Sequence, residues 1–260
     1  MCFDLDSQPP IAPIAGGALD SARIVLTAED GSRFLAFRAR AAEPSGAGIV
    51  ILPDVRGLHS YYEELALRFA EVGVDALAID YFGRSAGINT PRDDTFEFMP
   101  HVGRTTWAGL SDDVRAAAAD VRSADGGAVR SLFTVGFCFG GRLAFAAPAI
   151  GLGLAGSIGF YGRPTSPSSN GTPIPSEVAG EMEGAVLGIF GGADASIPPD
   201  DVAAFDDALS AAGVDHRLIS YPGAPHSFFD RKAADFAEAS AAAWEEVVGF
   251  IRARTTSAED

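Results

Sequence analysis

A cysteine set among glycines is the residue of this chain whose setting most clearly indicates chemistry. The elbow, as we call the segment Gly136-Phe137-Cys138-Phe139-Gly140-Gly141, follows a strand-like run at 131–135 and precedes a helix-like run at 142–149. A sharp strand-to-helix turn exposes a nucleophilic side chain, and glycine avoids steric conflict beside it. Cysteine in that place predicts acyl transfer through a thioester.

An acid and a histidine follow Cys138 along the chain, each just beyond a predicted strand. Asp194 follows the strand at 185–190, and His226 follows the strand at 215–221. The carboxyl ends of parallel strands meet at one edge of a sheet, so the three side chains can come together there. In this order His226 would take the thiol proton, and Asp194 would fix the tautomer of the imidazole.

Each of these residues also has a purely structural interpretation. Cys138 could be a small buried hydrophobic residue, Asp194 could cap the following helix, and His226 could be a hydrogen-bonded loop residue. The glycine framework and the chain order favour catalysis for all three. His216 lies within a predicted strand, which favours a structural role for it.

Main-chain groups complete the expected site. The backbone N–H of Phe139, directly after the nucleophile, and that of Val55, on the loop after the first buried strand, are the expected oxyanion donors. His59 follows the same loop and could line the pocket, since loops often carry site residues.

Size, composition and charge narrow the class of protein. The chain has 260 residues, of which 47% are hydrophobic. This fits one globular α/β domain, placed at 21–260 after a proline- and glycine-rich extension at 1–20. The net charge of −16 argues against nucleic acid and anionic membrane surfaces as partners, so we expect neither.

Cysteine usage and the first residues bear on location. The two cysteines are Cys2 and Cys138, and unpaired thiols suit a reducing cytosol. The first 22 residues contain no lysine or arginine and carry Asp4, Asp6 and Asp20, unlike a secretory signal. No apolar stretch reaches membrane-spanning length. We expect a cytoplasmic protein that is a monomer or a small homo-oligomer.

The alternation of strands and helices predicts the architecture. Besides the elements above, strands are expected at 23–27, 33–38, 48–52, 75–79 and 155–160, and helices at 62–72, 107–123, 200–212 and 233–253. This order predicts a mostly parallel sheet with helices on both faces, starting with a hairpin around an Asp-Gly turn. The segments 81–106 and 162–184 are predicted loops, and the second is expected to pack over another part of the molecule.

The elbow, Gly-Gly-Ala-Asp194 and Pro-His226-Ser-Phe together resemble the dienelactone hydrolase (carboxymethylenebutenolidase) family, from Gly48 to the C-terminus. The cysteine makes the resemblance specific, because most α/β-hydrolases use serine there. The resemblance implies the α/β-hydrolase fold and hydrolysis of a small cyclic enol-lactone bearing a carboxylate. The product would be a keto-acid such as maleylacetate, as in aromatic-compound degradation. No cofactor or metal is implied.

The resemblance also implies a residue that modulates the thiol. Leu52-Pro53-Asp54-Val55-Arg56-Gly57 matches the family segment with a glutamate that contacts the resting thiol. Asp54 stands at that position, and its charge would keep Cys138 neutral until substrate displaces it. Its alternative role is to brace the following turn.

Substrate-binding residues are implied in the same way. Asp80-Tyr81-Phe82-Gly83-Arg84 matches the family segment with an arginine that grips the substrate carboxylate, so Tyr81 and Arg84 are expected near the substrate. A surface position is the alternative for Arg84. The family's second arginine follows the catalytic histidine, where this chain has Asp230 and then Arg231. An offset of one residue changes the direction of a side chain.

Two other functions remain open at this point. The chain could be a related cysteine hydrolase of another small ester or thioester, since the second arginine is displaced and the loops at 81–106 and 162–184 would shape the pocket. It could also be an inactive homologue that binds a ligand or partner, because a fold alone does not prove activity.

Overall fold

The computed structural model describes residues 7–93 and 95–256, so Cys2, Asp4 and Asp6 lie outside the described residues. The described strands form one eight-stranded sheet of order β1-β2-β4-β3-β5-β6-β7-β8. They are β1 (Ala18–Thr27), β2 (Arg33–Ala41), β3 (Ala47–Leu52), β4 (Val74–Ile79), β5 (Ser131–Phe137), β6 (Gly156–Phe160), β7 (Ala185–Gly191) and β8 (His216–Tyr221).

The predicted mostly parallel sheet is confirmed. β1 and β2 form the expected antiparallel hairpin, and β2 pairs antiparallel with β4. All pairs from β4 to β8 are parallel. The central strands are fully buried, which explains why they read as continuous apolar runs rather than as alternating patterns.

Helices cover both faces of the sheet. They are α1 (Ser60–Glu71), α2 (Gly83–Ala86), α3 (Phe98–Val102), α4 (Trp107–Arg122), α5 (Phe139–Ala146), α6 (Pro199–Ala212) and α7 (Ala237–Ala253). Alternate residues of β3 enter two separate cores. Ile49 and Ile51 pack with residues of α1 and α7, whereas Val50 and Leu52 pack with residues of α4 and α5. β3, which pairs with the strand that leads into the elbow, is therefore packed on both faces.

Local signals set the C-terminal end of α1 and the start of α4. α1 ends before Gly73, which has a φ of 91°, a left-handed value that glycine adopts without steric conflict. Thr106 caps the start of α4, where its hydroxyl oxygen accepts a hydrogen bond from the N–H of Gly109 at 3.2 Å. Nowhere in the described residues is a helix both long and apolar enough to cross a membrane.

Two helix starts differ from the sequence prediction by three residues or more. α5 begins at Phe139 rather than at 142, directly after the cysteine, and continues as a 3-10 turn at 147–150. α7 begins at Ala237 rather than at 233, because the preceding N–H groups close successive turns instead. Those of Lys232 and Ala233 donate to the carbonyls of Ser227 and Asp230.

Candidate active site

The elbow places the side chain of Cys138 at the carboxyl edge of the sheet. Cys138 has φ 56° and ψ −109°, a strained conformation for a residue with a side chain. Its N–H donates to the carbonyl of Phe160 at 3.0 Å, and its own carbonyl accepts from the N–H of Arg142 at 3.1 Å. These main-chain bonds hold the strained residue between β5 and the first turn of α5.

The glycines of the elbow are required by close backbone contacts. A Cβ on Gly136 would overlap the carbonyl of Gly140, and one on Gly140 would overlap the carbonyls of Leu52 and Pro53. A Cβ on Gly141 would overlap the carbonyl of Phe160. Because main-chain atoms cannot swing aside, glycine allows the elbow to approach the neighbouring strands.

A buried carboxylate orients the histidine. The Nδ1 atom of His226 lies 2.6 Å from Oδ2 of Asp194, which is only 6% exposed. The other oxygen, Oδ1, accepts from the N–H of Ser196 at 2.9 Å and from its hydroxyl at 2.7 Å. Burial by itself would raise the pKa of Asp194, but the hydrogen bonds from His226 and Ser196 outweigh it and lower that pKa below its ordinary value. The carboxylate is therefore charged where it meets the imidazole.

A tyrosine supports the other side of the imidazole. The ring centroid of Tyr161 lies 4.8 Å from that of His226, and its hydroxyl donates to Oδ2 of Asp230 at 2.7 Å. Burial raises the pKa of Asp230 well above its ordinary value, despite the hydrogen bond from Tyr161. Tyr161 thus links the buried Asp230 to the imidazole of His226.

Backbone strain is concentrated around these residues. In the described chain, non-glycine residues with positive φ are Ala128, Cys138, Tyr161 and Ser227. Three of the four belong to the site or adjoin it, because Ser227 directly follows His226. Strain of this kind persists where the surrounding structure fixes a functional geometry.

Cys138 and His226 open into one cavity of about 420 Å³. It is lined by Val55, Cys138, Phe139, Arg142, Tyr161, Arg163, Pro167, Ser168, Ser169, Ser196 and His226. The lining brings together the expected nucleophile, the expected base and both residues expected to supply oxyanion donors. Phe139 is the first residue of α5, and the first N–H groups of a helix have no acceptor within it. The segment 163–169 forms one wall, as expected for a loop that packs over another part of the molecule.

Asp54 braces the turn that carries Val55. Its Oδ1 accepts from the N–H of Arg56 at 2.9 Å, its carbonyl accepts from the N–H of Gly57 at 3.1 Å, and its own N–H donates to the hydroxyl of Tyr62 at 3.0 Å. The bracing role considered from the sequence is thus present. A second role toward the thiol of Cys138 stays a prediction.

The position of Arg84 corrects its assignment as a substrate-binding residue. Its guanidinium forms ion pairs with Asp30, in the β1–β2 turn, and with Asp113 of α4, the latter at 2.8 Å. It also donates to the hydroxyl of Ser32 at 2.6 Å. Arg84 therefore ties the hairpin turn to α4 and is not among the residues lining the cavity.

Three other expected substrate-binding residues also lie outside the cavity lining. Tyr81 is buried behind the elbow, where its hydroxyl donates to the carbonyl of Pro53 at 2.8 Å and its ring packs on Phe139. His59 is buried at the start of α1, with Nδ1 3.2 Å from the hydroxyl of Ser60. Arg231 is exposed, because Asp230 takes the buried position beside it.

Sequence reasoning did not single out seven residues of the cavity lining, which are Arg142, Tyr161, Arg163, Pro167, Ser168, Ser169 and Ser196. Tyr161 directly follows β6, and the rule that sites lie beyond the carboxyl ends of strands would have found it. Arg142 lies four residues after Cys138, on the first turn of α5. Arg163 lies in the loop at 162–184, which was expected to shape the pocket, but the composition of that loop does not indicate which of its residues faces the cavity.

Together, the sheet and the elbow define an α/β-hydrolase. A solved esterase from Pyrococcus furiosus shares this fold with a TM-score of 0.69 at 12% identity, over 98% of this chain and 100% of that chain. The model of the dienelactone hydrolase family matches residues 36–255, and the chain belongs to that family of hydrolases.

Individual relatives agree with the family match. A protein of Methylorubrum extorquens named as a proposed carboxymethylenebutenolidase is 28% identical over 249 residues, which cover 95% of this chain and 85% of the relative. A similarly named protein of Escherichia coli K12 is 26% identical over 226 residues, covering 85% and 83%. The crystal structure of a proposed dienelactone hydrolase from Klebsiella pneumoniae matches with a TM-score of 0.74 and 27% identity, over 89% of this chain and 99% of that chain.

Proposed function

We propose that the protein hydrolyses a small enol-lactone bearing a carboxylate, through a Cys138–His226–Asp194 triad and a thioester intermediate. The observation that carries the proposal is the 2.6 Å hydrogen bond between Asp194 and His226, whose ring opens into the same cavity as Cys138. A histidine oriented by a buried carboxylate can withdraw a proton from a nearby thiol. No cofactor takes part in this proposal.

Acylation begins with proton transfer. The Nδ1–H of His226 donates to Asp194, so Nε2 is the nitrogen that accepts the thiol proton of Cys138. The thiolate attacks the lactone carbonyl and forms a tetrahedral intermediate. The N–H groups of Phe139 and Val55 stabilise its oxyanion.

Ring opening and hydrolysis complete the cycle. The bond between the carbonyl carbon and the ring oxygen breaks, the oxygen leaves as an enolate, and the imidazolium returns its proton to give an enol that tautomerises to a ketone. Water then attacks the thioester while His226 accepts a proton from it. The carboxylic acid leaves and the thiol of Cys138 is restored, so one lactone and one water give one keto-acid.

Asp54 also bears on the charge of the resting thiol. Burial raises the pKa of the Tyr81 hydroxyl well above its ordinary value, and the negative charge of the nearby Asp54 raises it further. A carboxylate this close to the elbow disfavours a second negative charge. We propose that Asp54 keeps Cys138 neutral until substrate arrives.

A second candidate is hydrolysis of another small ester or thioester. The observation in its favour is that Arg84 and Arg231, the arginines implied by family resemblance, lie outside the cavity lining. Different groups must then contact the part of the substrate remote from the scissile bond. The same triad would act on such a substrate.

The proposal is tested by following the loss of dienelactone absorbance with wild-type protein and with Cys138→Ala. We expect turnover by the wild type and loss of nearly all activity in the variant, because no other thiol lines the cavity in the described part of the chain. Asp207→Asn, which changes an exposed residue of α6, is the control for handling and folding. Equal turnover by Cys138→Ala would refute the mechanism. Wild-type turnover of small esters alone would favour the second candidate.

A further inference from the structure

Two arginines face the cavity beside the nucleophile. Arg142 is 8% exposed and Arg163 is exposed, and both belong to the lining. Burial lowers the pKa of Arg142, and the positive charge of Arg163 lowers it further. Two like charges thus lie on the lining of one cavity.

No carboxylate of the described residues neutralises this pair. Neither arginine takes part in an ion pair there, and the cavity lining contains no acidic residue. Of the acids nearby, Asp194 is engaged by His226 and Ser196. Asp54 accepts a hydrogen bond from the N–H of Arg56, and Asp230 accepts one from Tyr161. The whole chain carries a net charge of −16. An uncompensated positive pair in such a chain gives the cavity a field opposite in sign to that of the whole protein.

The two arginines have different hydrogen-bonding states. Arg142 donates to main-chain carbonyls of the loop, namely those of Ser166, Thr172 and Pro173, the last two at 3.2 and 3.0 Å. Its terminal nitrogens are thus engaged, although its charge remains. Arg163 makes no ion pair or hydrogen bond within the described residues, so its planar donor groups are available to a ligand.

We propose that Arg163 binds an anionic group of the substrate, foremost a carboxylate, and that Arg142 adds a second positive charge while holding the loop in place. The inference rests on the proposed function, since it concerns the substrate of the same cavity. A guanidinium pairs with a carboxylate through two parallel N–H···O bonds, which fixes orientation as well as charge. This cavity would then select small lactones or esters with a carboxylate near the scissile carbonyl. The task implied by resemblance for Arg84 and Arg231 would belong to Arg163.

The kinetic test compares wild type, Arg163→Ala and Arg163→Lys on dienelactone, an anionic lactone, and on p-nitrophenyl acetate, a neutral ester. Loss of a charge-assisted contact should raise the KM for the anionic lactone about 10- to 100-fold with a smaller effect on kcat. Turnover of the neutral ester should change less than about twofold, and lysine should restore part of the loss. The control is Arg252→Ala, which removes an exposed arginine of α7 and should behave as wild type. Arg252 lies beside Ser45, Val72 and Thr255, which are all outside the cavity.

A binding measurement separates this inference from the proposed function. Maleate, a dicarboxylate that is not hydrolysed, is titrated into wild type, Arg163→Ala and Arg252→Ala by calorimetry at low salt. Weaker binding only in Arg163→Ala supports the anion site, even if wild type fails to hydrolyse dienelactone. Equal affinity in wild type and Arg163→Ala, no binding by wild type, or an unchanged KM for dienelactone in Arg163→Ala would overturn the inference. The last result would leave the triad standing.

Discussion

Replacing Asp194 with asparagine is the perturbation for which the structure gives the sharpest expectation. An asparagine side chain has one acceptor oxygen and one donor NH2 group, and its orientation is set by its partners. Oδ1 of Asp194 accepts from the main-chain N–H of Ser196 at 2.9 Å. A donor cannot occupy that position, so the asparagine oxygen must face Ser196 and its NH2 group must face His226.

This orientation inverts the tautomer of the histidine. With a donor opposite Nδ1, the imidazole places its proton on Nε2, where it can no longer accept the thiol proton of Cys138. We expect kcat to fall roughly 10³- to 10⁴-fold, which is the loss found when the histidine of a catalytic triad is held in the wrong tautomer. That loss is about 4 to 5.5 kcal/mol of transition-state stabilisation. KM should change little, since Asp194 does not line the cavity.

Steady-state turnover measures this effect. Asp207→Asn makes the same chemical change on the exposed face of α6 and should leave turnover intact. Ser196→Ala keeps the decisive N–H and removes only the hydroxyl bond of 2.7 Å, so about a tenfold loss or less is expected. If Asp194→Asn kept more than about a tenth of wild-type turnover, the tautomer argument would be refuted.

Two further predictions concern stability. Gly140→Ala would overlap the main-chain carbonyls of Leu52 and Pro53, so it should cost about 1–3 kcal/mol of unfolding free energy in urea and abolish turnover. Gly249→Ala, a helical site with nothing within 4 Å, should instead stabilise by about 0.5–1 kcal/mol. If both substitutions had the same effect, close backbone contact would not be the reason for glycine in the elbow. Burial raises the pKa of Asp113 from 3.8 to about 6, against the opposing effect of Arg84. The folded state thus retains this proton to higher pH than the unfolded state, and the unfolding free energy falls as the pH rises through that window. Asp113→Asn should remove up to about 3 kcal/mol of the fall, measured as the difference between urea unfolding at about pH 4 and about pH 7. An unchanged difference would contradict the assignment.

The sheet and the elbow could be predicted because their signals are local. Continuous apolar runs identify buried parallel strands, and glycines around Cys138 identify a turn that other residues do not fit. The start of α7 was misplaced because the turns after Asp230 have the composition of a helix but close on other carbonyls.

The substrate-facing residues could not be predicted in the same way, because long-range contacts decide them. Arg84 was predicted to bind the substrate, but it forms ion pairs with Asp30 and Asp113 instead. Asp30, in the β1–β2 turn, is 54 residues away along the chain, and Asp113 lies on α4. The sequence predicts that turn but not where its carboxylate comes to lie. Conversely, Arg163 faces the cavity only because its loop folds back over the elbow.

The way in which Arg142 holds that loop has a consequence for how specificity can change. Arg142 donates hydrogen bonds to the main-chain carbonyls of residues 166, 172 and 173, and not to side chains. Side chains of the loop can therefore be exchanged without removing the hydrogen bonds that hold the loop to α5, the helix that follows Cys138. Four residues of this loop line the cavity, namely Arg163, Pro167, Ser168 and Ser169. Their side chains can therefore vary while the main chain of the loop keeps its position. Libraries randomised at these four positions, with Arg142 retained, are the natural route to new ester substrates for this scaffold.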